Sequence, residues 1–314
     1  MRGRPRFPLA ALIALLLLPI ATTAGEQTPV FSSLSELVVL HVSVKDGRGA
    51  FAADLPQDAF RVYEDGRPQT ITFFASQDAP VTGGLLIDGS GSMQPIRDLV
   101  IASAVAFAEA SNPKDELFAL TFNEDVQAVL PSGAPYTSDI AVLREALSEH
   151  LSARGRTALF DALAAGLDYV AGGRHERKVL VVVSDGGDNA SRATFKDVLT
   201  RAESSNAVVY TVALVDALDA DANPKLLRQI ADATGGDAYR PRDADQVSGV
   251  LKRIAHDIRN TYTVGYISTN AAHDGTFRRV RVEADSPGRG RLAVHARAGY
   301  LAAPPATKDE RRER

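Results

Sequence analysis

The sequence contains no cysteine among its 314 residues. This absence excludes disulfide bonds, thiol nucleophiles, iron–sulfur clusters and thiolate zinc sites. An apolar core must therefore stabilise the fold, and a chain of this length with 45% hydrophobic residues can form one. The six histidines occur in no H-E-x-x-H or comparable pattern, so zinc catalysis also has no support.

An excess of basic charge is also missing. The 35 lysines and arginines are dispersed among 39 acidic residues, which gives a formal net charge of -4. Nucleic-acid-binding proteins usually carry a basic patch or stripe, so we expect no nucleic-acid partner. No G-x-x-x-x-G-K-[ST] phosphate-binding loop occurs, so nucleotide hydrolysis has no support either.

Long apolar runs are absent outside the amino terminus. The run at residues 9–20 follows three arginines, precedes small residues, and is shorter than the ~20 residues that a spanning helix needs. We predict a signal peptide at residues 1–24, with an uncleaved amino-terminal anchor as the alternative. Either would make the protein exported, periplasmic or secreted, and the mature chain would have no membrane span.

Short alternating segments occur at both ends of the chain. We predict strands at residues 38–44, 60–63 and 69–74, and again at 262–266, 278–282 and 292–296. Neither group alone has enough strands for a stable sheet. We therefore expect the two flanks, residues 34–80 and 261–303, to form one β-sandwich, followed by a disordered tail at 304–314.

The central region, residues 81–260, alternates buried apolar strands with amphipathic helices. The predicted strands are 85–87, 117–122, 179–183 and 208–212, and the predicted helices are 96–110, 140–151, 158–170, 194–204, 224–233 and 244–258. Such alternation indicates crossover units and a mainly parallel sheet. We predict a three-layer, doubly wound α/β domain that is inserted in the β-sandwich.

Asp88, Ser90 and Ser92 follow the first buried strand of this domain. They should lie at the carboxyl edge of the sheet, where open α/β sheets bind ligands. One carboxylate and two hydroxyls, spaced two residues apart on a glycine-rich turn, can converge on one hard cation. Mg²⁺ suits such a site because it keeps several waters and needs few carboxylates.

The D-x-S-x-S pattern at residues 88–92, followed by Met93, resembles the metal-ion-dependent adhesion site of von Willebrand factor type A domains. Residues 155–161, which include Thr157, resemble the second metal loop of this family. Residues 184–188, which include Asp185, resemble the third. The resemblance covers roughly the whole central region, and the flanks resemble exported bacterial proteins that carry this domain inside a β-module.

The resemblance implies a function as well as a fold. Ser90, Ser92 and Thr157 would coordinate the ion directly, whereas Asp88 and Asp185 would act largely through water. An Asp or Glu carboxylate of another protein would complete the coordination sphere. We therefore expect a non-enzymatic protein-binding module that uses Mg²⁺, with Mn²⁺ or Ca²⁺ as alternatives.

Other interpretations of these residues stay open. The metal site could be vestigial in a structural or assembly protein whose β-module makes the contacts. Asp88 or Ser92 could merely cap a helix. Ser90 could be a nucleophile, although a G-x-S-x-G elbow would need glycine where Asp88 and Ser92 stand. We interpret three nearby acids as helix-start or surface residues, with Asp161 as a candidate for orienting the ligands: Asp98, Asp161 and Asp188.

Overall fold

The computed structural model describes residues 37–76, 78–214 and 222–302. The predicted signal peptide and carboxyl-terminal tail lie outside these residues. Within them, no helix combines the length and the apolar character that crossing a membrane requires. The limits that we gave to the domains stay predictions.

A six-stranded sheet forms the middle layer of the central domain. Its strands are β5 (Val81–Asp88), β6 (Glu116–Phe122), β7 (Val126–Ala128), β8 (Arg177–Ser184), β9 (Ala207–Ala213) and β10 (Ala238–Tyr239). They are arranged in the order β10-β9-β8-β5-β6-β7, and every neighbouring pair is parallel except β6 and β7. All residues of β5, β6 and β9 are buried, as expected for a parallel sheet that is covered on both faces.

Six helices cover the two faces of this sheet. One face packs against α1 (Arg97–Ala110), α2 (Ile140–His150) and α6 (Val247–Arg259), and the other against α3 (Leu159–Ala171), α4 (Phe195–Ser204) and α5 (Pro224–Thr234). Side chains alternate between the faces of a strand. Leu85 and Ile87 therefore enter the first core and Leu86 enters the second.

The two flanks of the chain build two four-stranded sheets. Their strands are β1 (Leu37–Lys45), β2 (Phe60–Glu64), β3 (Arg67–Gln69), β4 (Ile71–Ala75), β11 (Tyr262–Ile267), β12 (Phe277–Ala284), β13 (Ala293–His295) and β14 (Gly299–Leu301). The sheets have the orders β13-β1-β11-β4 and β14-β12-β2-β3, so each combines strands from both flanks. A shared apolar core, which includes Leu40, Val62, Val264 and Val280, lies between them. The predicted insertion of a three-layer α/β domain in a β-sandwich is confirmed.

The single strand predicted at residues 69–74 is wrong. Asp65 and Gly66, both with positive φ, form the tight turn of the hairpin between β2 and β3. The chain then leaves that sheet at Thr70, and β4 pairs with β11 in the other sheet. This crossing places the Phe74 ring against the sandwich core, where its centroid lies 5.8 Å from that of the Tyr262 ring.

Candidate metal centre

The carboxyl ends of β5 and β8 meet at one edge of the central sheet, because these strands are parallel neighbours. Asp88 is the last residue of β5, and Asp185 directly follows the last residue of β8. Both residues are buried, with 1% and 4% of their surface exposed. Two carboxylates from distant parts of the chain are thus held at the edge where α/β sheets bind ligands.

Four of the five predicted ligands form one chain of hydrogen bonds. Asp88 Oδ1 accepts a hydrogen bond from the backbone N–H of Ser90 at 2.8 Å. The Oγ atoms of Ser90 and Ser92 are 3.1 Å apart, and Ser92 Oγ donates to Asp185 Oδ2 at 2.8 Å. Neighbouring oxygens around an octahedral Mg²⁺ are roughly 3 Å apart, so this spacing fits the ligand shell of a small cation.

Thr157, the fifth predicted ligand, is buried on the loop that precedes α3. Its backbone N–H donates to Asn189 Oδ1 at 2.9 Å, and its carbonyl accepts from the backbone N–H of Asn189 at 2.9 Å. The backbone N–H of Gly91 donates to the carbonyl of Gly155 at 3.2 Å. The second loop is therefore fastened to both other loops, although no described hydrogen bond joins the Thr157 hydroxyl to the other four residues.

Ser184 orients Asp88, and the sequence analysis missed this residue. Ser184 Oγ donates to Asp88 Oδ2 at 2.6 Å and accepts from the backbone N–H of Gly186 at 3.0 Å. Together with the Ser90 N–H, it fixes both carboxylate oxygens of Asp88. Ser184 could have been predicted from its position at the end of β8, because β8 is the parallel neighbour of β5, which ends at Asp88.

The environment of Asp88 disfavours its charged form. Burial, with a smaller contribution from the nearby charge of Asp185, outweighs the hydrogen bonds from Ser184 and Ser90 and raises the pKa of Asp88 from its ordinary value of 3.8 to about 6. An ionised carboxylate in such a place costs free energy unless a positive charge compensates it. A cation at this edge would supply that charge.

The donor set consists of two carboxylates and three hydroxyls, which are hard oxygen ligands of the kind that Mg²⁺, Mn²⁺ and Ca²⁺ prefer. The part of the chain that the structure describes contains no group of three or more His, Cys, Asp and Glu side chains that could hold a metal. A cation here would therefore depend on the hydroxyls as much as on the carboxylates. Gly91 and Ser92 are exposed, so the hydroxyl edge is open to solvent and to a partner's side chain.

The three nearby acids hold loops or lie on the surface. Asp161 accepts hydrogen bonds from the backbone N–H groups of Arg192 and Ala193, just after the third loop, at 3.0 and 2.8 Å. Asp188 accepts from Ser191 Oγ at 2.6 Å and from a backbone N–H at the start of α3. Asp98 is exposed and pairs with Arg97 at 2.8 Å. Asp161 and Asp188 thus set the position of the third loop against the second, which carries Thr157.

The sequence model of the von Willebrand factor type A domain matches residues 84–253, more than half of the chain. The chain belongs to the von Willebrand factor type A domain family. The matched residues include all three loops of the candidate centre. A search of curated proteins returned no match.

Several solved structures resemble this von Willebrand factor type A protein. One is a von Willebrand factor type A protein from Catenulispora acidiphila, with 15% identity over 87% of this chain and 76% of that chain and a TM-score of 0.49. Another is the conserved hypothetical protein BatB from Bacteroides thetaiotaomicron, with 17% identity over 57% and 98% and a TM-score of 0.45. A third is the corresponding domain of the type V pili tip protein Mfa5 from Porphyromonas gingivalis, with 14% identity over 59% and 96% and a TM-score of 0.47.

Proposed function

We propose that this chain is an exported, metal-ion-dependent protein-binding module. Mg²⁺ would be held by Ser90, Ser92, Thr157, Asp88 and Asp185, with Mn²⁺ and Ca²⁺ as ions that suit the same donors. A carboxylate of another protein would complete the coordination sphere. The observation that carries this proposal is the row of three oxygens, Ser90 Oγ, Ser92 Oγ and Asp185 Oδ2, each about 3 Å from the next, at an edge open to solvent.

The balance of charge supports a carboxylate as the outer ligand. The two buried acids would share the charge of a divalent ion, and the remaining ligands, the three hydroxyls, are neutral. Because neutral hydroxyls offset little of the ion's positive charge, the ion keeps affinity for a further anionic oxygen. A side chain of Asp or Glu from a partner can reach it beside the exposed Ser92.

The surroundings of Ser90 argue against a hydrolase. Ser90 is only 2% exposed, and its hydroxyl lies beside that of Ser92. Histidine rings in the described residues contact groups away from Ser90: His175 lies beside the Lys114 carbonyl, and His295 pairs with Asp237. A serine nucleophile needs a base within hydrogen-bond reach, so we propose a non-enzymatic role.

A different surface favours the alternative of a structural or assembly protein. The outer face of the sheet β1-β11-β4 exposes four large apolar side chains, each at least 36% exposed: Leu37, Val39, Phe73 and Ile267. Exposed apolar groups on neighbouring strands often mark contact surfaces. In this alternative the β-module makes the contacts and the metal centre is dispensable.

Peptide libraries distinguish the two functions. The mature chain, residues 25–314, would be immobilised and exposed to two matched peptide libraries, one with a central Asp and one with Asn. Retention of the Asp library in Mg²⁺, and its loss in EDTA and in Ser92→Ala, would support the proposed function. Retention that is equal in Mg²⁺ and EDTA, or for Asp and Asn, would contradict it and favour the β-module. Asp98→Ala is the control, because Asp98 is an exposed acid outside the hydrogen-bonded chain.

A further inference from the structure

Three polar side chains of β1 face the α/β domain: His41, Ser43 and Lys45. They share one face of the strand, since side chains alternate. Lys45 Nζ is paired with the carboxylates of Asp237 at 2.6 Å and Asp257 at 2.8 Å. By contrast, His41 Nδ1 and Ser43 Oγ are buried and have no hydrogen-bond partner among the described residues. Because buried polar groups are nearly always hydrogen-bonded, two orphaned groups on one face indicate a bound species.

A small cavity of about 10 Å³ lies beside these two side chains. Ser43, which is only 4% exposed, lines it together with His41 and Arg177. Tyr210 and Thr261 close other sides. A volume of this size holds one species of roughly the size of a water molecule.

Arg177 makes the surroundings of this cavity electropositive. The residue is only 7% exposed, and its guanidinium donates to the carbonyls of Ala79 at 3.0 Å and Ile258 at 2.5 Å. It forms no ion pair with any carboxylate in the described ranges. The nearby acids are held by other groups: Asp78 pairs with Arg259 at 2.8 Å, and Asp115 accepts the backbone N–H of Val81 at 2.7 Å.

His41 responds to the same positive field. Burial, with a smaller contribution from the charges of Arg177 and Arg297, lowers the pKa of His41 from 6.5 to about 3. The ring is therefore neutral near pH 7 and offers one N–H. Arg297, on the other side, donates to Asn206 Oδ1 and to the carbonyl of Glu203 and forms no ion pair with a carboxylate among the described residues.

We propose that this cavity binds one monatomic anion, with chloride as the natural occupant. Ser43 Oγ and the His41 ring would donate hydrogen bonds to it, and the guanidinium of Arg177 would supply the opposite charge. A water molecule would satisfy the two orphaned atoms but would bring no negative charge to the buried guanidinium, whose nearby acids Asp78 and Asp115 form their own contacts with Arg259 and the backbone. The anion would connect the sandwich, through β1, to the start of β8, whose Arg177 also holds the carbonyl of Ile258 in α6.

Thermal unfolding in different salts tests this site. The protein would be unfolded in EDTA at constant ionic strength, while sodium gluconate is replaced by sodium chloride or sodium bromide. We expect Tm to rise with chloride by about 2–4 °C and then to saturate, because a ligand that binds only the folded state stabilises it. Bromide should act in the same way, whereas gluconate is too large for the cavity.

Two serine variants provide the comparison. Ser43→Ala should lose the chloride response, whereas Ser103→Ala should keep it, because Ser103 is a buried serine of α1 whose hydroxyl donates to the carbonyl of Leu99. An unchanged response in Ser43→Ala, or an equal response to all three salts, would overturn the proposal. In crystals soaked with bromide, an anomalous peak beside Ser43 would support it, and a peak of water without anomalous signal would overturn it.

Discussion

Ser92 donates a hydrogen bond of 2.8 Å to Asp185, although 93 positions separate the two residues in the sequence. The contact exists because β5 and β8 are parallel neighbours, so the loops that follow them begin side by side. It links the exposed hydroxyl edge to a buried carboxylate. A cation held here would bind the Ser92 hydroxyl, with Asp185 acting largely through water, and would so take the place of their mutual hydrogen bond.

Loss of the Ser92 hydroxyl should strongly weaken metal binding and leave the fold intact. Ser92 is exposed, and its hydroxyl forms hydrogen bonds with Ser90 and Asp185 of the candidate site, so Ser92→Ala removes a ligand without opening a cavity in the core. We expect Mg²⁺ affinity to fall by about 100-fold or more, with a circular dichroism spectrum unchanged from that of the wild type. Undiminished Mg²⁺ binding by Ser92→Ala would contradict the assignment of this hydroxyl as a ligand.

Ser184 should matter for the metal centre without touching the ion. Ser184→Ala removes the hydrogen bond to Asp88 Oδ2, and the carboxylate can then rotate away. Groups that orient metal ligands typically contribute about 10–100-fold to affinity, and we expect a loss in that range in calorimetric titrations. Ser103→Ala controls for the loss of a buried hydroxyl elsewhere. Equal Mg²⁺ affinity in both variants would show that Ser184 has no positioning role.

Glycine at position 89 should be required in this chain. A Cβ on Gly89 would lie 2.6 Å from the carbonyl oxygen of Ser152, which is backbone and cannot easily move. We expect Gly89→Ala to lower the free energy of unfolding by about 1–3 kcal/mol in urea titrations. Gly133→Ala is the matched control, since a Cβ there meets nothing within 4 Å. If the two variants are equally stable, the loop adjusts without cost.

The raised pKa of Asp88 should appear in the stability of the metal-free protein. With a folded pKa of about 6 against an ordinary value of 3.8, the folded state binds the extra proton. The contribution of Asp88 to the free energy of unfolding is therefore fully present below pH 3.8 and is lost as the pH rises through about 6. The loss amounts to at most about 1.4 kcal/mol per pH unit.

Asp88→Asn isolates this effect from other titrating groups, because the amide has a similar shape and does not ionise. In EDTA, the free energy of unfolding of Asp88→Asn minus that of the wild type should grow between pH 4 and pH 6. Saturating Mg²⁺ should reverse its sign at pH 7, since only the wild type gains from the ion. A difference that stays constant with pH would contradict the burial of a charged Asp88.

Much of the central domain could be predicted from the sequence, because its strands are long apolar runs and its helices have clear periodicity. Three strands of two or three residues were missed, namely β7, β10 and β14, since so short a segment shows no period. The helix predicted from residue 96 begins at Arg97, after a 3-10 turn at Gly91–Ile96 that contains Pro95. The pairing of the two flanks was predictable because neither has enough strands for a sheet of its own. The passage of the chain from one sheet to the other at Thr70 depends on tertiary packing and was not predictable.

The residues of the candidate site could also be predicted only in part from the local sequence. Asp88, Ser90 and Ser92 are neighbours in the chain, so their convergence follows from one strand and one turn. Thr157 and Asp185 were placed only through the resemblance to the family, because no local pattern reveals which strands are neighbours. Ser184 was missed since its role depends on the parallel pairing of β5 with β8.

The most direct test of the account is a calorimetric titration of the mature chain, residues 25–314, with Mg²⁺. We predict saturable binding of one ion per chain, which Asp88→Ala abolishes and the exposed-site control Asp98→Ala retains. Absence of binding to the folded wild type, or binding that persists in Asp88→Ala, would contradict the proposed metal centre.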